Sequence, residues 1–129
     1  MIRRNLLRLG ALVLAGTVGF GTAEAQDKPV LAFVTNAAAD FWTIGRAGVM
    51  QAGEELDGYT TEMHIVSEAT AAEQRRIIDD LLTRGVAGIT VSVIDPANSR
   101  DLLNNAAAKA VLFTSDSDAP DTDRMLYIG

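Results

Sequence analysis

TAAEQRRIIDDLLTRGVAGITVSV, residues 70–93, is the stretch whose reading decides the fold. Thr70 and Glu73 stand at capping-box spacing, so each side chain is placed to satisfy a backbone N–H of the other's turn. Ile77, Ile78, Leu81 and Leu82 then form one apolar stripe, with Arg75, Arg76, Asp79 and Asp80 mostly outside it. Gly85 supplies the stop, because glycine accepts the left-handed conformation that ends many helices. Gly88 to Val93 follows as a strand rich in β-branched residues. A helix delivered directly into such a strand is the second half of a strand–helix–strand crossover.

The same alternation continues on both sides. Upstream, Val30 to Val34 is a short, almost wholly apolar run bounded by Pro29 and Thr35-Asn36, as suits a parallel strand covered on both faces. A helix is expected to open near Asp40, a good N-cap residue, with Ile44, Gly48, Ala52 and Leu56 recurring every four residues and Gly58 as its stop. Gly45 and Gly48 lower helix propensity, which a close approach of the helix to the sheet would explain. Thr60 to Val66 reads as the second strand. Downstream, Asp95-Pro96 offers a cap followed by proline at a first helical position, and Leu102, Leu103, Ala106 and Ala107 give the third helix its stripe. Val111 to Thr114 is the fourth strand, a polar loop runs from Ser115 to Asp123, and Met125 to Ile128 is a short fifth strand. The order βαβαβαββ, closed by right-handed crossovers, predicts an α/β fold built on a doubly wound parallel sheet.

Ahead of this domain stands a different kind of segment. Arg3, Arg4 and Arg8 precede an apolar run from Leu9 to Phe20, and Ala23-Glu24-Ala25 places small residues where signal peptidase reads them. Positive start, apolar middle and small-residue site make residues 1–25 a cleavable signal peptide, with the mature chain at 26–129 and the periplasm as destination. The apolar run is well short of the roughly 20 residues that span a bilayer. The 129 residues allow one domain. A net charge of −6 argues against a nucleic-acid surface. The absence of cysteine excludes a disulfide framework and thiolate metal sites.

In sheets of this kind ligands bind beyond the carboxyl ends of the strands, near the point where strand order reverses. Three segments reach that edge. The first carries Asn36 and, where a helix begins, the neighbouring rings of Phe41 and Trp42. A flat ring there can stack on the C–H face of a sugar; the alternative is that one ring packs on the sheet and only the other is exposed. The second is Ile94-Asp95, where Asp95 reads first as a cap. The third, Ser115-Asp116-Ser117-Asp118, offers two carboxylates and two hydroxyls, suited to a polyhydroxyl ligand; a solvated acidic turn and a Ca²⁺ loop are the other readings. His64 has no nucleophile or metal-ligand partner in the sequence, and Asp79-Asp80 lie on a helix surface. No triad, zinc site or phosphate loop can be assembled, so neither an enzyme nor a cofactor is indicated.

Taken in order, Val30-Leu-Ala-Phe-Val-Thr-Asn36, Asp40-Phe-Trp42, Glu73-Gln-Arg-Arg76, Asp80-Leu-Leu-Thr-Arg-Gly85, Gly88-Ile89, Ile94-Asp-Pro-Ala-Asn98, Phe113-Thr-Ser-Asp-Ser-Asp-Ala-Pro120 and Tyr127-Ile-Gly129 resemble the type I periplasmic binding proteins, the ribose-binding-protein-like receptors of bacterial ABC sugar importers. The resemblance implies capture of a monosaccharide or polyol between two similar lobes and delivery to an ABC permease. It makes Phe41 and Trp42 the paired rings against the sugar and Asp116 the carboxylate on its hydroxyls, with Asn36 and Asp118 as further contacts. Ser117 stands where ribose-binding proteins carry an arginine, which points away from ribose. Family members are about twice as long, so residues 26–129 are expected to be the N-terminal lobe of a truncated chain, binding sugar weakly or not at all alone, its second lobe supplied by another chain. A stand-alone sensor or interaction module feeding a chemoreceptor or sensor kinase is the alternative.

Overall fold

The computed structural model describes residues 27–129; the expected signal peptide and its cleavage point after Ala25 lie outside them. In chain order the elements are β1 (Val30–Val34), α1 (Phe41–Glu55), β2 (Thr60–His64), α2 (Ala71–Arg84), β3 (Gly88–Val91), α3 (Arg100–Ala107), β4 (Val111–Ser115) and β5 (Leu126–Ile128). They form one five-stranded sheet in the order β2-β1-β3-β4-β5, with every neighbouring pair parallel. The chain steps from β1 outward to β2 and then back past β1 to β3. The winding direction therefore reverses between β1 and β3. This is the expected doubly wound parallel sheet.

Strand alternation divides the sheet into two unequal faces. Ala32 and Val34 of β1, Ile89 and Val91 of β3 and Leu112 of β4 point to one side, where Ile78 and Leu81 of α2 and Leu102, Leu103 and Ala106 of α3 close the core. These side chains are nearly all inaccessible to water, the valines, leucines and isoleucines each contributing about 1.5–3 kcal/mol of transfer free energy. On the other side α1 covers the β1–β2 half, with Trp42 against Phe33 at 5.4 Å between ring centres. Among the described residues no helix covers the β3–β5 half of that face, and Val111 and Leu126 stay exposed.

Both stripes of α2 and α3 are as the sequence predicts. Thr70 caps α2 by accepting from Glu73 N–H at 3.2 Å, and Gly85 ends it with φ 73°. Glu73 does not return the bond to Thr70: its carboxylate accepts from the N–H groups of Ser67 and Glu68 and from the Ser67 hydroxyl. The capping box is thus open, and its acid ties down the turn ahead of the helix.

Three helix expectations are corrected. Asp40 makes no side-chain cap bond and has helical dihedrals itself; the first N–H groups are met by the carbonyls of Ala39 and Asp40. The α1 stripe is also rotated from the expected one, since Ile44 is 77 % exposed while Trp42, Gly45, Val49, Ala52 and Gly53 turn toward the sheet. A side chain at Gly48 would meet nothing within 4 Å, whereas one at Gly53 would collide with the Thr61 hydroxyl, itself held on the Val49 carbonyl at 2.9 Å. Close approach is therefore absent at Gly48, present at Gly45, where a side chain would touch the Trp42 ring and the tip of Met63, and tightest at Gly53. The third helix, expected to open at Asp95-Pro96, begins at Arg100. Asp95 instead closes a single turn on Asn98, whose backbone and side-chain N–H groups donate to its two oxygens at 3.2 and 2.9 Å.

The connection from β4 to β5 is a parallel crossover without a helix, so side chains must hold it. Asp118 does so. Its carboxylate accepts from Thr114 Oγ1 at 2.6 Å, from Ala119 N–H at 2.7 Å and from two nitrogens of Arg124 at 2.6 and 2.8 Å. The Arg124 guanidinium, followed by the Thr114 hydroxyl and Ala119 N–H, holds the Asp118 carboxyl far below the usual carboxylate range.

Two outcomes follow for stability. Gly48→Ala should raise it by about 0.5–1 kcal/mol, the helix-propensity gain at an open site, while Gly53→Ala should lower it; urea unfolding midpoints of the two variants compare them directly. Asp118 is depressed in the folded chain, so its stabilisation is complete above its unfolded value near about 3.9 and fades as pH falls through the lower folded value. Asp118→Asn should therefore unfold at lower urea than the native chain near neutrality, with the gap closing in strong acid. A gap that stayed constant from neutral to acid would contradict this.

Candidate ligand-binding site

The carboxyl ends of β1, β3 and β4 meet at the switch point, and each delivers one polar side chain to the same spot. Asn36 lies two residues beyond the end of β1, Ser92 directly follows β3, and Asp116 directly follows β4. Asn36 Nδ2 donates to Asp116 Oδ2 at 3.2 Å, and Ser92 Oγ donates to the same oxygen at 2.9 Å. The exposed Asp116 keeps Oδ1 outside these bonds. The ends of three strands adjacent in the sheet, β1, β3 and β4, are thereby joined by one carboxylate.

Backbone geometry explains why Asp116 reaches inward. Its φ is 61°, and Ser117 N–H returns to the Ser115 carbonyl at 2.7 Å, a tight γ-turn of the rare, strained kind. Aspartate tolerates positive φ better than most residues, and such strain persists only where surrounding bonds enforce it. Here Asp116 N–H donates to the Ile128 carbonyl at 3.0 Å, Tyr127 Oη donates to the Asp116 carbonyl at 3.1 Å, and Ser117 Oγ donates to the Val93 carbonyl at 2.6 Å. The end of β5 and the end of β3 pin the turn from both sides.

The rings fall on the first of these strands' exits. Trp42 is 5 % exposed and Phe41 62 %, so of the two readings left open by the sequence the structure takes the one with a single open ring. The two meet edge-on, 5.0 Å between centres at 75°. Trp42 contributes to the rim through its edge: Nε1 donates to Asn36 Oδ1 at 3.1 Å. Asn36 is thus held from both ends, by an indole on its oxygen and a carboxylate on its nitrogen.

The structure brings Asn36, Phe41, Trp42 and Asp116 together as one connected group. Asp118, expected beside them, has both oxygens engaged by Arg124, Thr114 and Ala119, and serves the loop that carries Asp116. Sequence reading overlooked Ser92 and Gln74. Ser92 is a lone polar residue inside the run Thr90-Val-Ser-Val93, at the strand end that faces the switch point. Gln74 is a polar residue on the inward stripe of α2, in register with Ile78 and Leu81. Both signals were present as polar interruptions of apolar patterns. Ser115 Oγ is buried beside this group without a hydrogen-bond partner.

With the geometry in place, the chain can be set beside known proteins. No curated protein sequence matches it. Among solved structures, an ABC transporter solute binding protein from Burkholderia graminis, in complex with D-arabinose, is 25 % identical with a TM-score of 0.73, over 78 % of this chain and 35 % of that one. GanP, a glucose-galactose binding protein from Geobacillus stearothermophilus, is 25 % identical with a TM-score of 0.73, over 81 % of this chain and 38 % of that one. AraP, an arabinose binding protein from the same organism, shares the fold at 20 % identity and a TM-score of 0.67, over 78 % and 35 % of the two chains. The present chain therefore spans about a third of the length of the solved structures it matches. A family description, periplasmic binding protein domain, fits residues 31–129. That stretch runs from β1 through β5 and includes every rim residue described above: the chain belongs to the periplasmic binding protein domain family.

Proposed function

We propose that this chain captures a monosaccharide or related polyol in the periplasm, on behalf of an ABC-type importer whose permease receives the ligand. The observation that carries the reading is the pairing, on one rim, of an open aromatic ring with a fixed carboxylate. Phe41 offers a flat apolar face of the kind that packs on the C–H side of a pyranose or furanose. Asp116 Oδ1 accepts hydroxyl protons, and a hydrogen bond to a charged acceptor contributes about 1.5–3 kcal/mol. Asn36, Ser92 and Trp42 keep that carboxylate still, so little ordering is left to be done on binding. Asp118 belongs to this site as the support of the Asp116 turn.

The rim faces one side of a sugar ring. A single lobe of this kind leaves the other side in water, and the affinity of residues 26–129 alone is in the millimolar range, about −4 kcal/mol, rising when a complementary lobe closes on it. The solved relatives support the choice of ligand class, since one holds D-arabinose and another is a glucose-galactose binding protein. Both are much longer than this chain.

Titration of the isotope-labelled chain with D-arabinose, D-glucose and D-galactose should move the Trp42 indole and Asn36 side-chain amide resonances, with at least one sugar saturating. Asp116→Asn should weaken that sugar about tenfold or more. Phe41→Ala should weaken it several-fold while leaving the unfolding midpoint in place, because the ring is already in water. If none of the sugars moves either resonance at roughly a hundred times the expected dissociation constant, the reading fails.

A further inference from the structure

Where β1 parts from its neighbours, the parallel ladder runs out of rungs. Thr35 N–H still reaches the His64 carbonyl at 3.0 Å on the β2 side, and Ser92 N–H reaches the Val34 carbonyl at 2.9 Å on the β3 side. One step further, a continued ladder would join Val66 N–H to the Thr35 carbonyl and Asn36 N–H to the Ser92 carbonyl. Among the described residues neither bond is made. Val66 N–H turns to the Thr35 hydroxyl at 3.1 Å. The two carbonyls left over are both taken by Gln74, whose Nε2 donates to Thr35 O at 2.9 Å and to Ser92 O at 2.7 Å. The next donor along β3, Ile94 N–H, gives to Gln74 Oε1 at 3.1 Å.

Gln74 is only 3 % exposed. A neutral primary amide has two donors and an acceptor on one planar group, and all three act here on backbone freed by the splitting of the strands. A methionine of similar size would fill the space and leave those groups buried without partners, which folded proteins avoid. A glutamate would bring no donor unless protonated and would bury a charge.

We propose that Gln74 is the positioning residue of the rim: it wedges the ends of β1 and β3 apart and fixes the spacing at which Asn36 and Ser92 both reach Asp116. The residues that follow the two anchored carbonyls set this spacing, since Asn36 comes directly after Thr35, and Ser92 carries its own hydroxyl to the carboxylate. The inference rests on the proposed sugar-binding reading only for the purpose the rim serves; the wedge itself is a property of the unliganded chain.

The chain's one tryptophan reports on the wedge, because Trp42 Nε1 donates to the Asn36 side chain. Gln74→Met should move the indole N–H resonance and speed its hydrogen exchange by about tenfold. Leu81→Ala, on the same inward stripe of α2, should lower stability and leave that resonance in place. An unmoved indole in folded Gln74→Met overturns the proposal, as does an equal shift in Leu81→Ala. Should Gln74→Met fail to fold, the native chain carries the test: the Gln74 side-chain amide protons should exchange at least about tenfold more slowly than those of exposed Gln51, and equal rates overturn it. None of these measurements contains sugar, so a silent sugar titration counts against the binding reading alone.

Discussion

A parallel sheet that opens a crevice at its switch point must free backbone N–H and C=O groups from the ladder, and buried groups of this kind need partners. That constraint shapes the whole carboxyl edge of this fold. Water could satisfy the freed groups only if the crevice were deep and wet. Here they lie against the α2 side of the sheet, among Val34, Val91 and Ile78, where no exposed surface reaches. An amide from the helix below takes them instead. The crevice can then open without a wet floor, and Asn36 is released from the ladder to act through its side chain.

Once Asn36 is free, the remaining geometry follows from charge and directionality. A carboxylate beyond β4 would repel nothing and orient nothing unless it were reached by donors from the neighbouring strands. Asn36 and Ser92 supply them, and both choose the same oxygen, which leaves the second lone-pair set of Asp116 outside the protein's own bonds. Asp118, two residues on, has the opposite character. A bidentate guanidinium, a hydroxyl and an N–H occupy it, so its charge is spent in closing the crossover to β5. Two acids in one short loop thus divide the labour: one anchors, the other presents.

How far the sequence could be read depends on whether a residue's role is local. The strand and helix order, the α2 cap at Thr70 and the stop at Gly85 are set by neighbours within a turn, and all were legible. The face of α1 was not, because Gly45, Gly48 and Gly53 have no side chains to declare which way they point; contacts with other strands, Trp42 on Phe33, Gly45 by Met63 and Gly53 by Thr61, decide it. The start of α3 was misread for a related reason, since Asp95 can close one isolated turn as readily as it can open a helix. Among the residues gathered at the rim, Asn36 and Asp116 were legible as strand-end polar groups because strand ends at a switch point are few. Ser92 and Gln74 were missed because each looks like a blemish in an apolar pattern until its partners, 18 to 39 residues away, are in view. Trp42 shows the converse: adjacent rings suggest a stacked pair, yet a helix turns successive side chains by about 100°, so here Phe41 stays open while Trp42 packs on the sheet and meets the rim only through its indole edge.

That last point bears on what the lobe is built to do. The rotation that sends Trp42 under α1 leaves Phe41 outside, and it also puts the indole N–H where the Asn36 Oδ1 needs a donor. A second exposed ring at position 42 would enlarge the apolar platform but would release the Asn36 side chain, and with it one of the two donors that fix Asp116. The arrangement therefore gives up stacking area for a rigid carboxylate. Such a choice favours a ligand whose hydroxyls must be met at set directions and whose apolar face is small, which accords with the proposed single sugar ring more than with a flat aromatic or a long acyl chain.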